Sequence, residues 1–336
     1  MENGCQTPGC ATFGDAMESA LWHWLEESGF APVAIAPLPG DLSQRQYSRA
    51  MLASGDSLLV ASYPPPLRPV QERFLAAHRL LVAAGVAVPA VLASSASLGL
   101  MALEDLGDST LHDLAKQGSE IGRYVANALV QRSRIAALDH AEVEAIGCPP
   151  LDAALLRREL DLTFEHLFEP RGIREQADAA PRFRAALHDL CDELGGGALV
   201  PCHRDFMVRN LMPRGAAAVF VLDFQDLRPG PPAYDLASLL NDSWFVPAAQ
   251  EKEIVATALP REVGVDAYRR AVVQRCLKAA GTFARFAENG NPRHLPLIAP
   301  TLERALPHLA ALPETARAFS RLAPWWRSRL APESFC

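Results

Sequence analysis

The sequence predicts an α+β protein of two lobes: a small N-terminal antiparallel sheet lobe with one helix, then a larger, mostly helical C-terminal lobe. Three observations predict it. Between Val33 and Leu106, short aliphatic runs alternate with Gly, Pro and Asp turn signals. After Gly107, apolar residues recur at helical spacing along most of the remaining chain. With 336 residues and 49% hydrophobic content, the chain can bury more than one core. The boundary is expected at the turn Glu104-Asp105-Leu106-Gly107, giving lobes 1–106 and 107–336.

In the first lobe, residues 1–14 are small and polar with Pro8 and Gly9, and are expected to be poorly ordered. Asp15 could cap a helix over 16–28, in which Leu21, Trp24 and Leu25 share a face and Gly29 stops the run. Three strand-like pieces follow, VAIAPL, QYSRAML and SLLVASY, separated by Pro39-Gly40-Asp41 and Ser54-Gly55-Asp56. Pro64-Pro65-Pro66 interrupts the sheet. An amphipathic helix over Val70–Ala84 then sets Phe74, Ala77, Leu80 and Leu81 on one side. Two further strands, VPAVLAS and LGLMALEDL, complete a five-strand sheet.

In the second lobe, helices are expected at 110–117, 120–138, 151–168 and 180–194, the last closed by Gly195-Gly196-Gly197. Beyond Asp226 they are expected at 234–243, 248–258, 262–288, 296–312 and 314–322. The tail Ala323–Cys336, with Pro324, Trp325 and Trp326, is expected to dock on the helical lobe.

Charge and cysteine usage narrow the function classes. A net charge of −7, with 32 Lys and Arg scattered among acids, offers no basic surface for nucleic acid. Cys5, Cys10, Cys148, Cys191, Cys202, Cys276 and Cys336 are widely spaced without a Cys-x-x-Cys pair, which reads as reduced thiols instead of a disulfide or zinc framework. No signal peptide is legible, and no apolar run reaches the ~18–20 residues that span a bilayer. A cytoplasmic monomer without nucleic-acid or membrane partners is expected.

The chemistry concentrates in Pro201–Asp226, PCHRDFMVRNLMPRGAAAVFVLDFQD. His203, Arg204 and Asp205 stand together, Asn210 follows five residues after the aspartate, and the apolar run Ala218–Leu222 ends on Asp223. A loop, a turn and a buried strand would thereby gather two carboxylates and an amide. Phosphoryl transfer uses such a set: one carboxylate orients the attacking hydroxyl, while the amide and the second carboxylate hold Mg²⁺ on the phosphates.

These residues, with the LEDLG turn and the DFQD segment, resemble the aminoglycoside phosphotransferase and choline kinase-like group, which shares the protein-kinase-like bilobal fold. GDLSQRQYSR, LEDLGDSTL, HRDFMVRNLM, VLDFQDLRPGPPAYDLASLLND and LKAAGTFARFAENGNPRHL resemble, within that group, the bacterial N-acetylmuramate/N-acetylglucosamine anomeric kinases. The resemblance implies ATP-dependent phosphorylation of the sugar's anomeric hydroxyl to the α-1-phosphate, in peptidoglycan recycling. It implies Asp205 as the base that also meets the sugar, Asn210 and Asp223 as Mg²⁺ ligands, and adenine against the backbone of Glu104, Asp105 and Leu106. His203 and Asp235 are implied to support the catalytic loop, and Arg209, Asp226 and Arg228 lie where a sugar could be met.

Two departures carry expectations of their own. The strand SLLVASY lacks the lysine that kinases place against the α- and β-phosphates; Ser43, Arg45 and Arg49, in or beside the GDLSQRQYSR hairpin, are expected to serve the phosphates instead. The catalytic loop reads Phe206-Met207-Val208 where polar residues are frequent. Alternative readings are an aminoglycoside or choline/ethanolamine-type kinase and a non-catalytic nucleotide-binding regulator. Asp205, Asn210 and Asp223 together argue against the regulator.

Overall fold

A computed structural model of the chain describes residues 13–38, 45–242 and 246–335, with side chains from residue 19 onward. The chain packs as two compact units, one formed by residues up to Glu72 with Pro89–Gly107, the other by Arg73–Val88 with the chain from Asp108 onward.

The first unit holds helix α1 (Phe13–Glu27), strands β1 (Pro32–Pro37), β2 (Gln46–Leu52), β3 (Ser57–Ser62), β4 (Val91–Ser95) and β5 (Leu100–Glu104), and the start of helix α2 (Arg68–Ala83). The strands form one five-stranded sheet in the order β1-β2-β3-β5-β4, every pairing antiparallel. The expected antiparallel sheet is therefore present, and the β2–β3 hairpin turns at Ser54-Gly55-Asp56 as expected, whereas Pro39-Gly40-Asp41 lies outside the described residues. Leu21, Trp24 and Leu25 of α1 pack with Ala50, Leu58, Val60, Leu100 and Ala102 as a common core, so the helical stripe read from the sequence meets the alternating face of the sheet. Helix α1 begins at Phe13, so Asp15 lies inside it and not at its cap. The expected disorder of residues 1–14 falls almost wholly outside the described residues.

The segment Arg73–Val88, expected with the sheet lobe, packs with the helical unit. Phe74 meets Phe224 with ring centroids 4.5 Å apart, and the Ala87 amide and carbonyl bond to Gln131 Oε1 and the Val221 amide. The second unit continues with α3 (Leu111–Lys116), α4 (Gly122–Ala136), α5 (His140–Glu144), α6 (Ala153–Thr163) and α7 (Ala179–Gly195). Strands β6 (Val200–Cys202), β7 (Leu211–Arg214), β8 (Ala218–Val221) and β9 (Arg228–Gly230) pair as β6 with β9 and β7 with β8. Helices α8 (Tyr234–Asn241), α9 (Ala248–Ala258), α10 (Gly264–Glu288), α11 (Ile298–Ala311) and α12 (Pro313–Arg329) complete it.

Three helices differ from expectation, one of them α5, since none was expected between 138 and 151. The run expected as one helix over 151–168 is α6 followed by a π-helical turn, Phe164–Phe168. Helix α12 does not stop at 322 but passes through Pro324 to Arg329. The cause is packing: Trp325 and Trp326, each 5% exposed, set their rings against Phe168, and Trp326 also meets Phe183. That burial outweighs the hydrogen bond lost at the proline. No helix among the described residues is long and apolar enough to cross a membrane.

Candidate active site

The site is assembled by the loop between β6 and the β7–β8 hairpin, and by helices α6, α8 and α10. Asp235, in the first turn of α8, accepts hydrogen bonds from the backbone amides of His203 (2.7 Å) and Arg204 (2.9 Å) and from the Cys202 thiol (3.1 Å). One buried carboxylate thus satisfies two amides that the loop takes out of any ladder. The loop needs that brace because Arg204 sits at φ 75°, a conformation costly for a residue with a Cβ.

His203 is fully buried. Its Nε2–H donates to the Leu222 carbonyl at 2.9 Å, and its ring meets Phe206 edge-on at 5.7 Å. The imidazole ties the loop to the end of β8. Asn210, closing a 3₁₀ turn over Val208–Asn210, donates its amide to the Asp205 carbonyl at 2.9 Å. The hairpin pairs Leu211 with Val221, and the Leu222 amide donates to the Asn210 carbonyl at 2.9 Å. This register delivers Asp223 beside Asn210, although the two are far apart in sequence. Asp223 has φ 60°, a second strained backbone at the site, and its Oδ1 accepts from Gln225 Nε2 at 2.9 Å.

Asp205 itself faces two cations from α10. Arg275 Nη2 is 3.4 Å and Lys278 Nζ 3.8 Å from its Oδ1. Burial alone would raise the Asp205 pKa, but Lys278, Arg275 and Arg204 outweigh it and hold the carboxyl well below the usual carboxylate range. Burial lowers the Lys278 ammonium pKa, opposed by Asp205. Arg275 is buried, donates Nε to Ser238 Oγ at 3.2 Å, and so is fixed in place.

The remaining expected residues divide into those facing the site and those bracing it. Arg204 donates to Glu159 (2.8 Å) and Asp226 (3.3 Å). Arg228 is buried and spends its guanidinium on the Asp226 carbonyl and carboxylate and the Pro149 carbonyl. It braces Asp226, where a sugar contact was expected. Arg209 is half-buried on the 3₁₀ turn. Arg275, Lys278 and Glu159 were not singled out from the sequence. The two cations lie in or just before the LKAAGTFARF segment, three residues apart on one helical face, and that spacing was the available signal.

Beside Asp205's partners lies a cleft of about 240 Å³, whose lining includes Glu159, Arg204, Lys278, Gly281, Thr282 and Arg285. Helix α10 approaches α6 closely here: a Cβ on Gly281 would stand 2.4 Å from Thr163 Oγ1.

In the sheet unit, Ser43 lies outside the described residues. Arg49 donates to both carboxylate oxygens of Asp105 (2.6 and 3.1 Å), and Ser57 Oγ donates to the same carboxylate at 2.6 Å. Arg45 lies over the Tyr47 ring at 6.0 Å. The Glu104 amide is taken by the Ala90 carbonyl, whereas the Leu106 backbone makes no hydrogen bond among the described residues.

Hard oxygen donors define what the hairpin can hold. With its nitrogen committed to Asp205, Asn210 keeps its side-chain oxygen as an acceptor, and Asp223 adds a carboxylate. Among the described residues no group of three or more His, Cys, Asp and Glu is gathered as a metal cage. A set this small suits Mg²⁺, which takes one or two protein oxygens and fills its octahedron with phosphate and water.

The chain matches the phosphotransferase enzyme family over residues 34–271. It is 34% identical over 285 residues to a Pseudomonas aeruginosa protein named N-acetylmuramate/N-acetylglucosamine kinase, spanning 79% of this chain and 80% of that one. A Neisseria meningitidis protein of the same name is 32% identical over 306 residues, 84% of this chain and 86% of that one. Among solved structures, the choline kinase LicA from Streptococcus pneumoniae superposes with a TM-score of 0.63 at 15% identity, over 88% of this chain and 100% of that one. The ADP-bound aminoglycoside phosphotransferase APH(2'')-Ib gives a TM-score of 0.61 at 15% identity, over 90% and 98%. At these identities the superpositions establish a shared fold.

Proposed function

The chain belongs to the phosphotransferase enzyme family, and from that premise we propose that it transfers the γ-phosphoryl group of ATP to the anomeric hydroxyl of N-acetylmuramate and N-acetylglucosamine. The product is the α-1-phosphate, which fits a role in peptidoglycan recycling. The observation that carries the chemistry is Asp205, an ionised carboxylate flanked by Lys278 and Arg275 on a loop braced by Asp235. The sugar is supported by the names of relatives that share about a third of their residues across most of both chains.

A carboxylate held at low pKa is a weak base. It suits a loose transition state, in which the acceptor oxygen needs aiming early and loses its proton late. The anomeric hydroxyl is more acidic than other sugar hydroxyls because of the ring oxygen, so Asp205 need only orient it and collect the proton as the P–O bond forms. Lys278, beside Asp205, offsets negative charge on the group in flight. Asn210 and Asp223 would hold Mg²⁺, which neutralises phosphate charge when bound.

Leu106, in the turn after β5, has a backbone without a hydrogen bond among the described residues, which suits adenine, while Asp105 is committed to Arg49 and Ser57. As the sequence suggests, Arg45 with Ser43 would meet the phosphates in place of the missing strand lysine. The enzyme acts as a monomer in the cytoplasm, where ATP is made and the buried thiols Cys148, Cys191, Cys202 and Cys276 stay reduced.

The aminoglycoside reading is disfavoured by the cleft. Arg285, whose guanidinium has no partner among the described residues, would repel a polycation. The test is to incubate the protein with ATP, Mg²⁺ and N-acetylmuramate, N-acetylglucosamine, kanamycin or choline, and to locate new phosphate by ³¹P NMR. Anomeric phosphate on the amino sugars is expected; phosphate on another oxygen, or only on kanamycin or choline, overturns the assignment.

A further inference from the structure

Within the cleft beside Asp205, the charges do not all find partners. Glu159 is bonded by Arg204 (2.8 Å) and Gln274 (3.0 Å), and Arg204 is shared with Asp226. Lys278 faces Asp205. Arg285, at the other end of the lining, makes no hydrogen bond or ion pair through its guanidinium among the described residues, and it is only half-buried. The cleft therefore carries one surplus cation, set apart from the reacting end.

Its position has a defined span. Gln274, Lys278, Gly281 and Arg285 recur at spacings of four, three and four along α10, which puts them on one face. Seven residues separate Lys278 from Arg285, about 10 Å along the helix at 1.5 Å per residue. Long side chains on a helix lean the same way, toward its N-terminus, so the two cationic heads keep roughly that separation. A hexose with its anomeric oxygen at Asp205 and a short acidic arm on the far side of the ring matches this spacing. Gly281 lies between the two cations and lines the cleft where α10 meets Thr163 of α6.

We propose that Arg285 is the specificity residue of this site: it receives a carboxylate carried by the sugar and sets the preference for acidic over neutral amino sugars. This rests on the sugar-kinase reading above, within which the sequence had placed Arg209 and Arg228 where a sugar could be met. Arg228 cannot receive that carboxylate, because its guanidinium is filled by Asp226 and Pro149. A guanidinium matches a carboxylate with two parallel N–H···O bonds, and a neutral sugar gains nothing from them.

The experiment is to measure kcat/KM for N-acetylmuramate and N-acetylglucosamine in the wild type, in Arg285→Ala and in Arg285→Gln, with thermal melting as a check on folding. The ratio of the two values, acidic over neutral sugar, is expected to fall roughly ten- to hundredfold in both variants. In the wild type, added salt is expected to raise KM for the acidic sugar more than for the neutral one, since a half-exposed charge is screened. An unchanged ratio in Arg285→Gln, or a collapse of the ratio in Arg209→Ala instead, overturns the inference and leaves the sugar-kinase reading standing. A wild type that phosphorylates neither sugar overturns both.

Discussion

At the scale of single residues, the site is a competition between burial and charge at Asp205. Asp205→Asn keeps the shape but removes the acceptor, so kcat is expected to fall by about 10²–10⁴-fold with the KM for ATP little moved. Because the folded pKa of Asp205 is depressed, its carboxylate should stay ionised as pH falls through the usual carboxylate range. The stability it contributes is present above the unfolded value and lost only as pH drops through the folded one. Lys278→Met removes the strongest of the charges that lower it, so the acid limb of a kcat profile should move to higher pH; an unmoved limb would separate Lys278 from Asp205. Chelating Mg²⁺ should abolish turnover, and Asp223→Asn should raise the Mg²⁺ concentration for half-maximal rate. Asp205, Asn210 and Asp223 were legible in the sequence because a motif fixes their spacing. Arg275 and Lys278 were not, because nothing local says which face of a long helix meets a loop some 70 residues earlier.

Among elements, α10 and the β7–β8 hairpin decide most. The hairpin register aligns Asn210 with the residue preceding Asp223, and the turn at Gly215, with φ 55°, permits it. Helix α10 carries the two cations and can lie close to α6 only because position 281 has no side chain. Gly281→Ala would ordinarily favour a helix, yet here the new methyl meets Thr163. The variant is expected to lose about 1–3 kcal/mol, read as a lower melting temperature, and to weaken sugar binding as α10 shifts. Asp235→Ala strips two loop amides and a thiol of their acceptor, so stability should drop by a similar amount and kcat with it. Strands of the small sheet were readable because Pro, Gly and Asp punctuate them. The passage of α12 through Pro324 was not, since local propensity ends a helix there and only the burial of Trp325 and Trp326 carries it on.

For the whole molecule, each compact unit buries its own apolar core, and the first is small. Trp24, 6% exposed, is its largest member, and Trp24→Ala should cost about 3–5 kcal/mol. In scanning calorimetry we expect that variant to lower the transition of the sheet unit while the helical unit melts near its wild-type temperature; a single transition lowered as a whole would show that the two units unfold together. The sequence by itself determined the α+β class, the antiparallel sheet, the order of the longer helices and the phosphotransfer motif, because each is written in spacings of a few residues. Tertiary structure alone decided that Arg73–Val88 packs with the helical unit, that Arg228 braces Asp226, and that Lys278 and Arg275 face Asp205. It also decided that Arg285 is left with a charge to spare. The physical reason is that these are statements about which faces meet: a sequence fixes a helix's apolar stripe locally, but the partner of a charged side chain depends on segments brought together only when the cores close.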